Sequence, residues 1–496
     1  MPGLLVAGTT SDAGKSVVTT GLCRAFARRG IRVAPFKSQN MSNNSMVCRD
    51  GAEIGRAQYL QALAAQVEPS ALHNPVLLKP ATDRTAFVVV DGRPWGRLEA
   101  GNYATGRTEL AEAAFTAYER LSASTDLVVA EGAGSPAEVN LRERDFVNMG
   151  LARRFGLPVV LVGDIDRGGL LAALLGTWGL LEPADQALLG GYVVNKFRGD
   201  LDVLRPGLDT VTGRTGMRCF GVLPWVHEVW LDSEDTLMIG HLGGPDEGLS
   251  EHPLTVAVVR LPRISNATDV DALAAEPGVT VRVTVDPDVC RDADLLVLPG
   301  SRATVADLGW LRDRGLADVV IDRARRGRPV LGICGGYQML AQTIDDDVES
   351  AVGTVPGLGL LDVQIRFGAD KVLGRPRGSW GGHGVDGYEI HHGVADDDGS
   401  FPGGTSSGAV WGTMWHGTLE CDDFRRTWLC AVAATSGSRW TPRPDAPGYV
   451  TRREHMIERL ADLVEEHLDL DALLALAGAG AAPASRTQRD GIPGGV

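Results

Sequence analysis

One cysteine, one histidine and a lysine-bearing loop carry the chemistry that this sequence can perform. Cys334 stands in Pro329-Val330-Leu331-Gly332-Ile333-Cys334-Gly335-Gly336-Tyr337-Gln338-Met339-Leu340. The apolar run before it predicts a buried strand, and residues 337–344 have helical spacing. The cysteine therefore falls on a sharp strand-to-helix turn, where flanking glycines admit unusual backbone angles and let a substrate come close. A thiol so placed points into a cleft, and the helix N-terminus favours its thiolate. The bland alternative is a buried structural cysteine in a glycine-rich turn. A nucleophile also needs a base. Residues 410–418 predict a strand that delivers His416 into a loop beside Gly417. Ten histidines compete for this role, with His391 and His392 as the main rivals. The Cys…His order and the strand end beside glycine favour His416.

The second constellation is Gly8-Thr9-Thr10-Ser11-Asp12-Ala13-Gly14-Lys15-Ser16, between the predicted strand Leu4–Ala7 and a helix. It reads as a phosphate-binding loop. Backbone N–H groups from Gly8, Thr9, Asp12 and Gly14 face the phosphates, Lys15 reaches the β/γ oxygens of ATP, and Ser16 can ligate Mg²⁺. The first glycine lies one residue further from Gly14 than in the common pattern. Glu131, in Glu131-Gly132-Ala133-Gly134, offers Mg²⁺ a carboxylate after another apolar run. Asp164-Ile165-Asp166-Arg167 follows the next strand, and Asn195 is placed where an amide reads an adenine edge. Singly, each is an ordinary polar loop; their shared position at strand ends raises them together.

These residues need a scaffold. The first half alternates apolar strands (Leu4–Ala7, Arg32–Pro35, Leu127–Ala130, Pro158–Val162, Tyr192–Val194, Gly221–Leu223) with helical patterns, which predicts a parallel sheet with crossover helices. A second α/β unit is expected with strands Thr255–Leu261, Leu295–Leu298, Pro329–Ile333, Leu358–Val363 and Val410–Met414, closed by a helix over Arg452–Leu476. The fold class is therefore α/β throughout. A chain of 496 residues is too long for one core.

Composition narrows the function. Net charge is −15, from 63 acidic and 48 basic residues, which argues against a nucleic-acid surface. Only five of the basic residues are lysines, and Lys15, Lys37 and Lys196 each sit in a Gly/Asn/Ser-rich segment by a predicted strand. A compact ammonium is not interchangeable with guanidinium as a phosphate ligand. Seven cysteines without a C-x-x-C pair predict reduced thiols. With no leader-like start and no apolar run of about 18 residues, the expectation is a cytoplasmic protein without a membrane span.

The sequence resembles the glutamine-hydrolysing cobyric acid synthase family of cobalamin biosynthesis, from about Leu4 to Glu420. The resemblance rests on residues 8–16, Pro35-Phe36-Lys37-Ser38-Gln39-Asn40-Met41, Asn74-Pro75-Val76-Leu77-Leu78-Lys79-Pro80 and residues 131–138. It continues through the Asp164 and Asn195 motifs, Leu298-Pro299-Gly300-Ser301, the Cys334 turn, residues 387–393 and His416-Gly417. It implies a P-loop amidoligase domain similar to dethiobiotin synthetase over 1–237 and a linker over 238–253. It further implies a class I-like glutamine amidotransferase domain of the cobyric/cobyrinic type over 254–440, followed by a C-terminal helix over 441–476 and a disordered tail over 477–496. The implied reaction is ATP- and glutamine-dependent amidation of the b, d, e and g carboxylates of adenosylcobyrinic acid a,c-diamide. Cys334 would be nucleophile and His416 base. Gly300, Ser301 and Gly335 would form the oxyanion hole. Lys15, Ser16, Glu131 and Mg²⁺ would serve ATP, while Lys37, Asn40 and Asp145 are implied on the corrinoid side, with loop capping as their bland alternative.

The pattern departs from most triad glutaminases, which carry a glutamate two residues after the histidine. Thr418 stands there, and Glu420 is the nearest acidic replacement. Competing assignments are cobyrinic acid a,c-diamide synthase, an amidotransferase acting on a cell-wall lipid precursor, and a P-loop regulatory ATPase with a decayed glutaminase domain. Thr10 stands where partition-type ATPases carry a second lysine, and Cys334 and His416 are both retained, so the regulator is disfavoured.

Overall fold

All six strands expected in the first half form, and they join one parallel sheet. Its order is 218–224, 189–197, 159–164, 3–8, 127–131, 33–36, with every pairing parallel. The structure is a computed structural model and describes residues 2–82, 84–99, 106–226 and 252–479. The strands Gly3–Gly8, Leu127–Glu131 and Val159–Asp164 are buried along their whole length. Helices cover both faces of such a sheet, which is why these strands read as continuous rather than alternating apolar runs. Strand order reverses at Gly3–Gly8, and open α/β sheets bind ligands at that switch point. The phosphate loop leaves this strand's C-terminal end.

A second sheet has the order 279–284, 254–259, 295–298, 330–333, 410–413, 404–407. It is parallel except for the hairpin partner Gly404–Ser407. The strands Val330–Ile333 and Val410–Thr413 are neighbours, with Ile333 opposite Thr413. That register brings the residue after each strand, Cys334 and the loop to His416, out at the same end. Buried apolar side chains pack both faces, with Leu331, Ile333, Trp411 and Trp428 on one and Leu296, Leu298, Val330 and Tyr337 on the other.

Two expectations require correction. Leu358–Val363 is not a strand. Its N–H groups instead cap the carbonyls at the end of helix Gly335–Leu340: Leu358 donates to Met339, Gly359 to Ala341, and Leu360 and Leu361 to Leu340. Leu361 and Val363 are apolar because they fill the core beneath that cap. The closing helix breaks into Tyr449–His467 and Leu470–Ala479. At the break, Leu468 bridges Gly221 and the Asp469 N–H donates to Phe220, so the backbone is given to a sheet edge.

Packing groups the chain differently from its linear order. Packing divides the described chain into residues 2–38, 118–226 and 460–479 on one side, and 39–117 and 252–459 on the other. The segment expected inside the first domain thus folds with the second unit. It contributes the sheet 39–41, 76–80, 85–90, 93–99 and the hairpin Ser45–Val47/Glu53–Gly55. A further mixed sheet, ordered 353–356, 343–346, 364–374, 389–395, with only its central pair parallel, follows the cysteine helix. The expected linker 238–253, except its last two residues, and the expected tail from 480 lie outside the described residues.

Candidate active site

The turn expected at Cys334 is present and strained. Cys334 has φ 49° and ψ −108°, a region that costs a non-glycine residue about 1–3 kcal/mol. Two hydrogen bonds hold it there: its N–H donates to the Thr413 carbonyl at 2.7 Å, and its carbonyl accepts from Gln338 at 2.9 Å. The following glycines are required by close approach. A Cβ on Gly335 would lie 2.7 Å from the Ser301 nitrogen, and one on Gly336 would lie 1.9 Å from the Leu298 carbonyl oxygen. Gly335 opens helix Gly335–Leu340, so its N–H belongs to the helix end that lacks intrahelical acceptors.

His416 is the histidine that the fold brings to Cys334. It is buried, its Nδ1 lies 2.7 Å from Asp269 Oδ2, and its side chain also bonds to Cys334. Asp269 fixes the ring in the tautomer that leaves Nε2 for the sulfur. The same carboxylate accepts the Gly417 N–H at 2.8 Å. Tyr388 stacks on the ring at 5.3 Å, and its backbone exchanges two hydrogen bonds with that of His416. Burial opposes protonation of His416, but the Asp269 carboxylate and the Cys334 sulfur outweigh it and push its pKa up to about 10. The arrangement stabilises a sulfur–imidazolium pair.

Asp269 is the functional residue that sequence reasoning missed. It lies in the short helical turn Ala267–Val270, after Asn266 in the left-handed region. The signal available was an Asn-x-x-Asp cluster just past the first strand of the second unit. Glu420, the nearest acidic replacement in sequence, is engaged elsewhere, by Arg56 at 2.5 Å and Arg453 at 3.0 Å. Neither rival histidine is hydrogen-bonded to a carboxylate among the described residues. His392 bonds the Gly368 carbonyl. His391 is buried, and desolvation pulls its pKa down to about 4, so its ring is neutral.

Gly300 and Ser301 form a two-residue strand paired with Ile264–Ser265. This brings Gly300 against His416 and Ser301 against Gly335. The Ser301 hydroxyl donates to Asp307 at 2.6 Å and accepts from Ala303. Only its backbone therefore remains for an oxyanion. The five residues expected for thiol chemistry and its oxyanion hole are thus brought together.

The first unit assembles the nucleotide residues. Gly14 adopts φ 96°, and Asn195 Nδ2 donates to the Ala13 carbonyl at 3.0 Å, bracing the loop instead of standing free to meet an adenine. Lys15 Nζ is folded onto the carbonyls of Thr10 and Ser11 at 3.0 and 2.9 Å. Gly8 packs against the Lys15 side chain, the Thr9 N–H donates to Val162, and Asp12 pairs with Arg167. Ser16 Oγ donates to Glu131 Oε1 at 2.9 Å. A hydroxyl and a fully buried carboxylate are hard oxygen donors, so this pair fits Mg²⁺. Lys37 donates to the same carboxylate oxygen at 2.9 Å, and both side chains are buried.

The remaining candidates separate. Asp145 accepts N–H groups from Val147, Asn148 and Gly150, the capping arrangement at the start of helix Met149–Phe155. Asn40 is buried in the second unit, with its amide on Gln58 at 2.9 Å. Lys196 joins Asp164 at 2.6 Å.

A nucleotide loop on one sheet and a cysteine–histidine–aspartate turn on another define a nucleotide-binding glutamine amidotransferase. Residues 4–237 match the CobQ/CobB/MinD/ParA nucleotide binding domain, and residues 255–424 match the CobB/CobQ-like glutamine amidotransferase domain. The chain is 61% identical to a cobyric acid synthase of Cutibacterium acnes, over 96% of this chain and all of that one. It is 55% identical to those of Mycobacterium marinum (99% of this chain, 100% of that one) and Streptomyces coelicolor (97% of each). The chain belongs to the cobyric acid synthase family. No helix among the described residues is long and apolar enough to cross a membrane.

Proposed function

We propose that this protein uses ATP and glutamine to amidate the b, d, e and g carboxylates of adenosylcobyrinic acid a,c-diamide, giving adenosylcobyric acid. The carrying observation is the Cys334–His416–Asp269 constellation in the same chain as a lysine-bearing phosphate loop. Cys334 attacks the γ-carboxamide of glutamine. The backbone N–H groups of Ser301 and Gly335 receive the oxyanion, and His416 protonates the departing ammonia. Water then releases glutamate from the thioester.

In the other unit, Lys15 and the loop N–H groups orient ATP. Ser16 and Glu131 would hold Mg²⁺, which when bound neutralises charge on the phosphates. Phosphorylation turns a carboxylate oxygen into a good leaving group, and ammonia displaces phosphate to leave an amide. Lys37, already on Glu131, supplies positive charge beside this chemistry.

Mass spectrometry of the product formed from the a,c-diamide, ATP and glutamine tests the assignment. Four successive exchanges of hydroxyl for amino are expected. Two exchanges starting from cobyrinic acid, with none on the diamide, would instead assign the sibling a,c-diamide synthase. Cys334→Ala should abolish glutamine-driven amidation and retain the ammonia-driven reaction. No amidation by the wild-type protein from either nitrogen source would point to the regulatory ATPase.

A further inference from the structure

The cavity in front of Cys334 contains polar groups that the hydrolytic chemistry leaves unused. Ser301, Arg302, Gln338, Glu349 and His391 line it together with the thiol. Arg302 directly follows the oxyanion strand, and its guanidinium pairs with Glu349, each side chain only 11% exposed. The guanidinium carbon also lies 3.9 Å from the centre of the Phe87 ring, which fixes its plane. Its backbone N–H is tied to the Arg263 carbonyl at 2.8 Å.

Fixed as it is, the group is not satisfied. Arg302 Nε is buried without a hydrogen-bond partner among the described residues, and the buried His391 ring has none beyond the Gly393 backbone. Leaving a buried polar group unpaired costs about 1–3 kcal/mol, so several such groups facing one cavity mark a ligand with matching polar atoms. Glutamine presents its carboxamide to the thiol and, at its other end, one ammonium and one carboxylate. A cation and an anion held side by side match that end.

We propose that Arg302 and Glu349 are the specificity-determining pair for glutamine, Arg302 binding its α-carboxylate and Glu349 its α-ammonium. His391 supplies a neutral polar wall to the same pocket. The pair would then reject simple aliphatic amides that lack either charge, and asparagine, which carries both but is one methylene too short to reach the pair and the thiol together. The inference rests on the glutaminase reading above, and the test keeps the two apart.

Ammonia release is measured from glutamine, from glutaramate (which lacks the α-ammonium) and from 4-aminobutanamide (which lacks the α-carboxylate). For Arg302→Gln, kcat/KM for glutamine should fall about 10–100-fold, the loss of one charged hydrogen-bonded contact. With 4-aminobutanamide the same variant should change by less than about threefold, since the contact is already missing. Glu349→Gln should show the mirror pattern, sparing glutaramate. A merely structural role lowers all three substrates alike, and that result overturns the proposal while leaving the glutaminase reading standing. Failure of the wild-type protein to release ammonia from glutamine would overturn both.

Discussion

Asp269 precedes His416 by 147 positions, yet its carboxylate holds the ring nitrogen for which the sequence offers no glutamate two residues after the histidine. The consequence is an imidazole whose charge depends on a distant loop. Asp269→Asn keeps the shape and removes the charge, so kcat/KM for glutamine should fall about 10²–10⁴-fold, the usual worth of a positioned acid–base group. The alkaline limb of the pH–rate profile should move down from about 10, because only the carboxylate and the sulfur hold His416 protonated against burial. The sign for stability follows from linkage. A histidine whose folded pKa is raised contributes stability in full below about 6.5, and that contribution is lost as pH rises through about 10. Urea unfolding should therefore separate the variant from wild type widely at pH 6 and much less at pH 10. An equal gap at both would detach Asp269 from the charge on the ring.

The turn at Cys334 shows which elements can be read from a sequence and which cannot. Its strand, its glycines and its helix were all legible, because each follows from local apolar runs and from backbone that only glycine tolerates. The strain is visible as φ 49° at a cysteine. Gly336 makes a sharper test than the cysteine. Alanine is the better helix former by about 1 kcal/mol. Here, however, its methyl would lie 1.9 Å from the Leu298 carbonyl. Gly336→Ala should lower the urea midpoint by the equivalent of about 1–3 kcal/mol, as overpacking does, and depress glutamine hydrolysis with it. A stabilised variant would mean the helix can move off the sheet. Leu358–Val363 was illegible for the opposite reason. Its apolar residues serve a helix cap and the core beneath it, and period alone does not distinguish that from a strand. Asp269 was hidden because its partner is set by tertiary approach across two strand ends. Arg302 and Glu349 were hidden likewise, since 47 positions separate them.

At the scale of the whole chain, the scarcity of lysine acquires a physical meaning. All five, Lys15, Lys37, Lys79, Lys196 and Lys371, hold polar contacts in low-exposure sites, while arginine supplies the exposed basic side chains and some buried ones such as Arg323 and Arg425. Lys79 and Lys371 converge on Glu53, at 2.6 and 2.5 Å, and Ser45 donates to the same carboxylate at 2.9 Å. This cluster links segment 39–117 to the strand Gln364–Gly374 within the second unit, which explains why packing departs from the linear plan. Burial would push the Glu53 carboxyl up, but the two ammonium groups outweigh it and hold it well below the ordinary carboxylate range. Glu53→Gln strands two buried cations, and losing one partner from a buried ionic group costs about 3–5 kcal/mol. Because the folded pKa is depressed, the native contribution is fully present above about 4.5 and is lost only as pH falls through the lowered value. The carboxylate's own share of the deficit should therefore not change between pH 8 and pH 5, while Lys79, whose pKa burial pulls down to about 8, sheds its charge as pH rises and should narrow the deficit toward pH 8. The deficit should appear in the urea transition that also abolishes glutamine hydrolysis, since a two-unit chain need not unfold in one step. Adding Lys371→Met to Glu53→Gln removes one uncompensated charge and should recover part of the loss. A Glu53→Gln protein as resistant to urea as wild type would show that segment 39–117 is held by its apolar contacts alone.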